Sequence, residues 1–337
     1  MVKIAINGFG RIGRLFFRRI VSLGEMSRRD TEKPEFQVVA VNDLGSLENL
    51  EYLLRFDTVY GKFDSGLEGV KVLQEKDPAK LPWKELEVDI VVEATGAFES
   101  YEKAQAHLKA GAKRVVLTAP AKDDDGEQGI TVLSGVNEED LKGHRISSNG
   151  SCTTNAASPV VEVLEENPGI KKAVLNTVHG YTATQNLVDG PVKGQDLRRG
   201  RAAAQNIVPS STGAAIAVAR AVKALEGKFD GIAMRVPVAT GSIADITFVA
   251  KRKTSAEEIN KILEEAAALS KWQGIFKVTK DPIVSSDIIG EPYGAIVDLN
   301  FTKVIDGDLV KVLSWYDNEM GYVATLVKHV EAVVRTL

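Results

Sequence analysis

The sequence predicts a Rossmann-type, doubly wound parallel α/β domain followed by a second, mainly antiparallel α+β domain. Three observations predict it. Strand and helix signals alternate through the first half of the chain, the pattern of a parallel sheet. A glycine-rich turn sits between the first strand and the first helix. After Cys152 the texture changes to longer strand candidates, one pair joined by a tight-turn signal. The length of 337 residues, at about 150 per domain, is consistent with two domains.

The elements follow in order. Residues 3–7 form a short apolar run ending in glycines, and residues 11–23 have helical spacing. Residues 38–42 are apolar and β-branched, as a buried parallel strand requires. Residues 89–94 and 114–117 repeat that pattern around a helix-like 101–110. The polar stretches 27–35 and 122–128 read as solvated surface loops. Residues 153–166 read as a helix, in which Pro159 is tolerated only near the first turns or at a kink. Strand candidates then cover 173–179, 231–238, 243–251 and 295–302. Residues 255–269 form an amphipathic helix with Ser255 as its cap and acids in its first turn. Asp306-Gly307, between 300–304 and 309–315, is a hairpin signal, and 319–337 reads as a final helix.

Composition narrows the function classes. Apolar residues make up 44% and charged residues 26%, ordinary for a globular chain. The net charge of −4 gives no general attraction to nucleic acid or membrane. One cysteine rules out an internal disulfide and fits a reducing compartment. With no signal-peptide pattern and no bilayer-length apolar run, a cytoplasmic location is expected. No metal-ligand spacing is visible, so no metal is expected.

Gly8-Phe9-Gly10-Arg11-Ile12-Gly13 matches G-x-G-x-x-G between a strand and a helix. Such glycines let the backbone approach a pyrophosphate, which the helix N-terminus attracts. Asp43 ends the second strand and can accept bonds from both adenosine ribose hydroxyls. Its charge opposes a 2′-phosphate, so NAD is expected over NADP. The polar loop 27–35 accounts for the long spacing between glycines and acid.

Cys152 stands at a helix start among Ser, Thr, Thr and Asn. Free amides and the macrodipole there are expected to lower the thiol pKa, which suits a nucleophile. Its proton-handling partner must be His107, His144, His179 or His329. His107 and His329 sit in expected helices among solvated residues, and His144 in a Gly-His-Arg turn. His179 ends a strand beside a glycine. Spacing favours it without singling it out.

Together the blocks NGFGRIGR, VND (41–43), SNGSCTTN (148–155), HGYT (179–182), DLRRGRAAAQNIVPSSTGAA (196–215), MRVP (234–237) and SWYDNEMGY (314–322) resemble the phosphorylating, NAD-dependent glyceraldehyde-3-phosphate dehydrogenase family. The resemblance runs the whole length. It implies Cys152 as nucleophile and His179 as its acid/base partner. It implies Gly8, Gly10, Arg11, Ile12, Gly13, Asp43, Lys76, Thr118 and Asn318 around NAD, with the Asn318 amide fixing the nicotinamide. Ser151, Thr153, Thr212 and Gly213 match a site for inorganic phosphate, and Thr182 and Arg235 a site for the substrate's C3 phosphate. Residues 1–151 with 319–337 would form the NAD-binding domain and 152–318 the catalytic domain. A loop over about 185–201 would line a neighbour's cofactor site in a homotetramer. Two rival readings share these motifs: an erythrose-4-phosphate dehydrogenase, and a non-catalytic binding protein on the same fold. Three positions depart from the family pattern: Gly150, where Ala is usual, Ala156, where a second cysteine is often found, and residues 238–242. Residues 238–242 read Val-Ala-Thr-Gly-Ser where a Thr-Pro-Asn type sequence is commoner, which bears on the geometry near Arg235.

Overall fold

The computed structural model describes residues 1–26, 36–192 and 194–337. The expected surface loop 27–35 therefore lies outside the described residues. The chain divides into two compact units, residues 1–151 with 326–337 and residues 152–325. The second cut falls inside the last helix, not at the expected position 319.

The first unit contains β1 (Val2–Asn7), α1 (Arg11–Met26), β2 (Phe36–Asn42), α2 (Leu47–Arg55), a small hairpin of β3 (Phe56–Asp57) and β4 (Gly61–Lys62), then β5 (Lys71–Leu73) and β6 (Ile90–Glu93). α3 (Tyr101–Lys109), β7 (Arg114–Leu117), β8 (Ile130–Thr131) and β9 (Ile146–Ser148) follow. Its seven-stranded sheet has the order β5-β2-β1-β6-β7-β9-β8, and every ladder is parallel. The order reverses direction between β1 and β6. That switch point opens a crevice at the carboxyl ends of the strands, where doubly wound folds bind dinucleotides. Ile4, Ile6, Val41, Ile90, Val92 and Val116 are fully or almost fully buried, which is why these strands read as unbroken apolar runs.

The second unit opens with α4 (Cys152–Glu166), then β10 (Ile170–Gly180), β11 (Val208–Ser211), α5 (Ala214–Ala221), β12 (Phe229–Val236) and β13 (Ser242–Ala250). α6 (Ala256–Ala267), β14 (Phe276–Thr279), β15 (Ala295–Asp298), β16 (Lys303–Ile305), β17 (Leu309–Tyr316) and α7 (Met320–Val334) complete the order. The sheet runs β11-β12-β10-β13-β17-β15-β14, with β16 paired to β17. It is mainly antiparallel, with parallel ladders between β10 and β12 and between β14 and β15. The long β10–β12 connection, which contains β11 and α5, provides the crossover that a parallel pair needs.

Local chemistry sets these elements. Ser255 caps α6 by accepting from the Glu258 amide at 3.2 Å, a contact worth about 1 kcal/mol. Asp306 and Gly307 both have positive φ (47° and 72°), which closes the β16–β17 hairpin. Pro159 lies in the interior of α4, which continues through it. Alternation along β13 and β17 turns every second side chain toward α4, and Ser314 Oγ donates to the Ala156 carbonyl at 3.0 Å.

Candidate active site

The same two-residue period places the candidate side chains. On β10, Leu175, Thr177 and His179 are buried on one face, the face that packs on α4. α4 begins at Cys152, so its first residue meets the far end of β10. Cys152 Sγ lies 3.3 Å from His179 Nε2. β10 and β12 are in register at His179 and Arg235. Arg235 Nη1 comes 2.8 Å from His179 Nδ1 and 3.3 Å from the Gly180 carbonyl.

The tautomer of His179 follows from these distances. The Gly180 carbonyl is 2.6 Å from Nδ1, and only an N–H can meet a carbonyl oxygen that closely. Nδ1 therefore carries the proton, and the Arg235 contact is charge against a donor, not a hydrogen bond. Nε2 is left as an acceptor facing the thiol. Burial and the Arg235 charge hold the imidazolium down to about pH 3, against the Gly180 bond that favours it. His179 thus stands ready as a neutral base.

The thiol differs from the expectation drawn from the helix start. Burial pushes the Cys152 pKa up, while Arg235 and the hydroxyl and amide of Thr153 pull it down. Desolvation of the thiolate is the larger influence, so the net shift is upward. Tyr316 backs the pair. Its hydroxyl bonds Thr153 Oγ1 at 2.8 Å and Thr177 Oγ1 at 2.7 Å, and its ring stands edge-on to His179.

Positive charge gathers at this end of the sheet. Arg199 bonds Asp196, Ser210 and Thr184, whose hydroxyl in turn meets Thr182 Oγ1 at 3.0 Å. Arg199 acts electrostatically on both His179 and Arg235. Arg235 Nε is buried with no hydrogen-bond partner among the described residues. Thr212 Oγ1 accepts from the Ala214 amide at 3.2 Å, and Gly213 is the N-cap residue of α5. Thr153, expected at the phosphate site, directs its hydroxyl to Tyr316, and Ser151 immediately precedes α4.

The glycine-rich turn of the first unit divides its labour by residue. A Cβ on Gly8, whose φ is +95°, would fall 2.5 Å from the Thr95 amide nitrogen. A Cβ on Gly13 would fall 2.1 Å from the Gly8 carbonyl, so this glycine lets α1 pack on β1. Gly10 faces open space, the position where a pyrophosphate could approach the backbone. Asp43 lies across from this turn. Its Oδ2 accepts the Phe9 amide at 2.7 Å and its Oδ1 the Gly45 amide at 2.9 Å, leaving lone pairs for ribose hydroxyls. This set fits a dinucleotide. Ile12 lies in the first turn of α1, while the Arg11 side chain pairs with Asp57. Lys76 is exposed beyond β5, beside a segment tied to β2 by the Glu75 amide and Asn42 Oδ1. Thr118 immediately follows β7, its amide and hydroxyl both held by the Glu93 carbonyl at 3.0 Å, and lines a hollow with Glu93, Gly96 and Phe98. Asn318 belongs to the second unit and is buried.

Two histidines required correction. His107 and His329 are buried, not solvated. Trp83 Nε1 donates to His107 Nδ1 at 3.0 Å, so His107 Nε2 carries the proton to Glu93 at 2.9 Å. His329 lies between the Ser147 hydroxyl and the Val132 carbonyl, and burial lowers its pKa to about 4. Both brace the parallel sheet. Sequence reasoning also missed Arg199, Tyr316 and Thr177. Arg198, Arg199 and Arg201 are equivalent as sequence, and only the fold turns Arg199 inward. Among the described residues no cluster of three metal-ligating side chains occurs, and no helix is long and apolar enough to cross a membrane.

Comparison with known proteins yields two family matches. Residues 2–101 match the NAD binding domain of glyceraldehyde 3-phosphate dehydrogenase, and residues 151–318 match its C-terminal domain. Among curated relatives, the glyceraldehyde-3-phosphate dehydrogenase of Clostridium pasteurianum is 46% identical, covering 98% of each chain. That of Mycobacterium avium is 47% identical over 100% of this chain and 99% of its own. That of Streptomyces coelicolor is 44% identical over 97% and 96% respectively.

Proposed function

The chain belongs to the glyceraldehyde-3-phosphate dehydrogenase family, an NAD-dependent oxidoreductase family, and from that premise we propose that it oxidises D-glyceraldehyde 3-phosphate with NAD and inorganic phosphate to 1,3-bisphosphoglycerate. The observation that carries this reading is the Cys152 thiol at the start of α4, 3.3 Å from a neutral His179 and beside Arg235.

His179 Nε2 takes the thiol proton as Cys152 Sγ attacks the aldehyde carbon, giving a thiohemiacetal. His179, now protonated, stabilises the oxyanion and protonates it to the hydroxyl, then takes that proton back as the hydride departs. What NAD supplies when bound is acceptance of a hydride from that carbon, which leaves a thioester on Cys152. When NAD is bound, Asp43, Gly8, Gly10, Arg11, Ile12, Gly13, Lys76 and Thr118 would hold its dinucleotide portion, and Asn318 its carboxamide. Forming the product through a covalent thioester divides one hard step into two easier ones. Arg235 and Thr182 hold the C3 phosphate, and Arg suits it through its fork of donors. Ser151, Thr153, Thr212 and Gly213 direct inorganic phosphate onto the thioester, which releases the acyl phosphate and regenerates the thiol. Charge from Arg199 adds to this anion region. Residues 1–151 with the C-terminal helix act as the NAD-binding domain and 152–318 as the catalytic domain. The exposed Leu187, Val188, Leu197 and Ile207, along and just after the 185–201 loop, support a homotetramer.

The deciding experiment follows NADH absorbance with glyceraldehyde 3-phosphate as substrate. Steady turnover should require inorganic phosphate, and NADP should replace NAD poorly. Rapid phosphate-independent turnover would overturn the acyl-phosphate step. For cofactor choice, Asp43→Ala is expected to lower kcat/KM for NAD roughly tenfold or more while narrowing the gap to NADP, because a charged acceptor is lost. Equal use of both cofactors by the unaltered enzyme contradicts this role. Thr212→Ala is expected to raise the half-saturating phosphate concentration by roughly fivefold, about one hydrogen bond, with little change in the first, pre-steady-state turnover. An unchanged phosphate response would remove Thr212 from the phosphate site.

A further inference from the structure

The stretch 238–242 was expected to bear on Arg235. The structure also connects it to Asn318. Three successive residues converge on one atom. Asn318 Oδ1 accepts from the Gly241 amide at 3.1 Å and from Ser242 Oγ at 2.9 Å, and Thr240 Oγ1, 3.3 Å away, shares its single proton between this oxygen and Asp317 Oδ1. A backbone amide can only donate, so the side-chain atom facing it is the oxygen, and the amide's orientation is settled by its surroundings. Nδ2 therefore points the other way. It meets no acceptor among the described residues, although Asn318 is 5% exposed. With its oxygen engaged, the amide presents its nitrogen, which is not among the buried unpartnered atoms, as a donor open to a ligand acceptor.

Each member of the triad is itself fixed. Thr240 and Ser242 are 2% and 1% exposed. Thr240 Oγ1 also lies 3.2 Å from Asp317 Oδ1, and Asp317 accepts the amides of Glu319 and Met320 at the start of α7. Gly241 has φ +93°, and a Cβ there would fall 2.4 Å from the Ser285 carbonyl, so only glycine holds this amide in place. Ser242 Oγ accepts the Gly180 amide at 3.1 Å while donating to Asn318. The Gly180 carbonyl holds the His179 Nδ1 proton. A single hydroxyl thus ties the strand end that carries the base to the amide beside α7.

We infer that Thr240, Gly241 and Ser242 are positioning residues that fix the Asn318 side chain so that its Nδ2 donates to the carboxamide of the nicotinamide ring. The inference rests on the reading that Asn318 serves the nicotinamide. The test is calorimetric binding to the full-length enzyme, with three ligands: NAD, pyridine adenine dinucleotide (which lacks only the carboxamide) and ADP-ribose (which lacks the whole ring). The proteins are the unaltered enzyme, Asn318→Ala, Ser242→Ala, Thr240→Val and Thr240→Ser. The unaltered enzyme is expected to prefer NAD over the pyridine analogue, and Asn318→Ala to lose that preference. Ser242→Ala and Thr240→Val should each reduce the preference roughly threefold to tenfold, with ADP-ribose affinity unchanged. Thr240→Ser keeps the hydroxyl and should restore it. If Asn318→Ala loses the preference but Ser242→Ala and Thr240→Val keep it in full, the triad does not position Asn318, and the nicotinamide reading stands. If Asn318→Ala keeps the preference, the nicotinamide reading fails and the triad's role with it. A loss that extends to ADP-ribose marks general loosening and also overturns the proposal.

Discussion

Cys152→Ser is expected to slow aldehyde oxidation by roughly a thousandfold or more while NAD binds with unchanged affinity. The hydroxyl would occupy nearly the same place, 3.3 Å from His179 Nε2 in the unaltered protein. Two properties change. A serine hydroxyl is far less acidic than a thiol, so a neutral histidine held down to about pH 3 cannot keep useful alkoxide beside it. An oxygen ester also lacks the reactivity of the thioester toward phosphate. The measurement pairs single-turnover NADH absorbance with calorimetric NAD affinity. Residual oxidation within tenfold of the unaltered enzyme would mean that another group performs the attack. A parallel loss of NAD affinity would mean that the substitution disturbs the fold.

The second large effect is expected for Arg235→Leu, and it has two parts. Arg235 stands 2.8 Å from His179 Nδ1, and its charge lowers both the histidine and the thiol pKa. Removing it should therefore slow turnover of any aldehyde and slow alkylation of Cys152 by iodoacetamide near neutral pH. Beyond this shared loss, the phosphorylated aldehyde loses the charge-assisted bonds to its C3 phosphate. Each such bond is worth roughly 1.5 to 3 kcal/mol, so two of them give an excess loss of about a hundredfold to ten-thousandfold. The ratio of kcat/KM for glyceraldehyde 3-phosphate and for glyceraldehyde isolates that excess, because the shared part cancels. Equal losses on the two aldehydes would make Arg235 a support for His179 alone and leave the C3 phosphate without its main partner.

Local chemistry made most of the architecture legible in the sequence. The unbroken apolar runs of β1, β2, β6 and β7 follow from burial on both faces of a parallel sheet. Gly8, Gly10 and Gly13 read as a dinucleotide turn because backbone crowding there excludes every other residue type at two of the three positions. The lone cysteine among polar neighbours marked the start of α4, and Asp306-Gly307 marked the hairpin, since both signals depend only on adjacent residues.

Three-dimensional packing decided what adjacency could not. His107 sits in a largely polar helix and His329 in a largely apolar one, yet both are buried, and Trp83, Glu93, Ser147 and Val132 satisfy them from distant parts of the chain. The ionisation balance at Cys152 was misjudged from the helix start because desolvation depends on everything packed around the sulfur, not on its own helix. Arg199 separates from Arg198 and Arg201 only once the loop is folded. The role of residues 240–242 emerges only where Asn318 returns beside them. Sequence by itself signalled the dinucleotide turn and the cysteine at a helix start, because each depends on short-range pattern, whereas spacing alone did not single out His179 among the four histidines. The tertiary structure alone decided the protonation states and the orientation of the Asn318 amide, because both are set by partners far apart in sequence within a partly desolvated site.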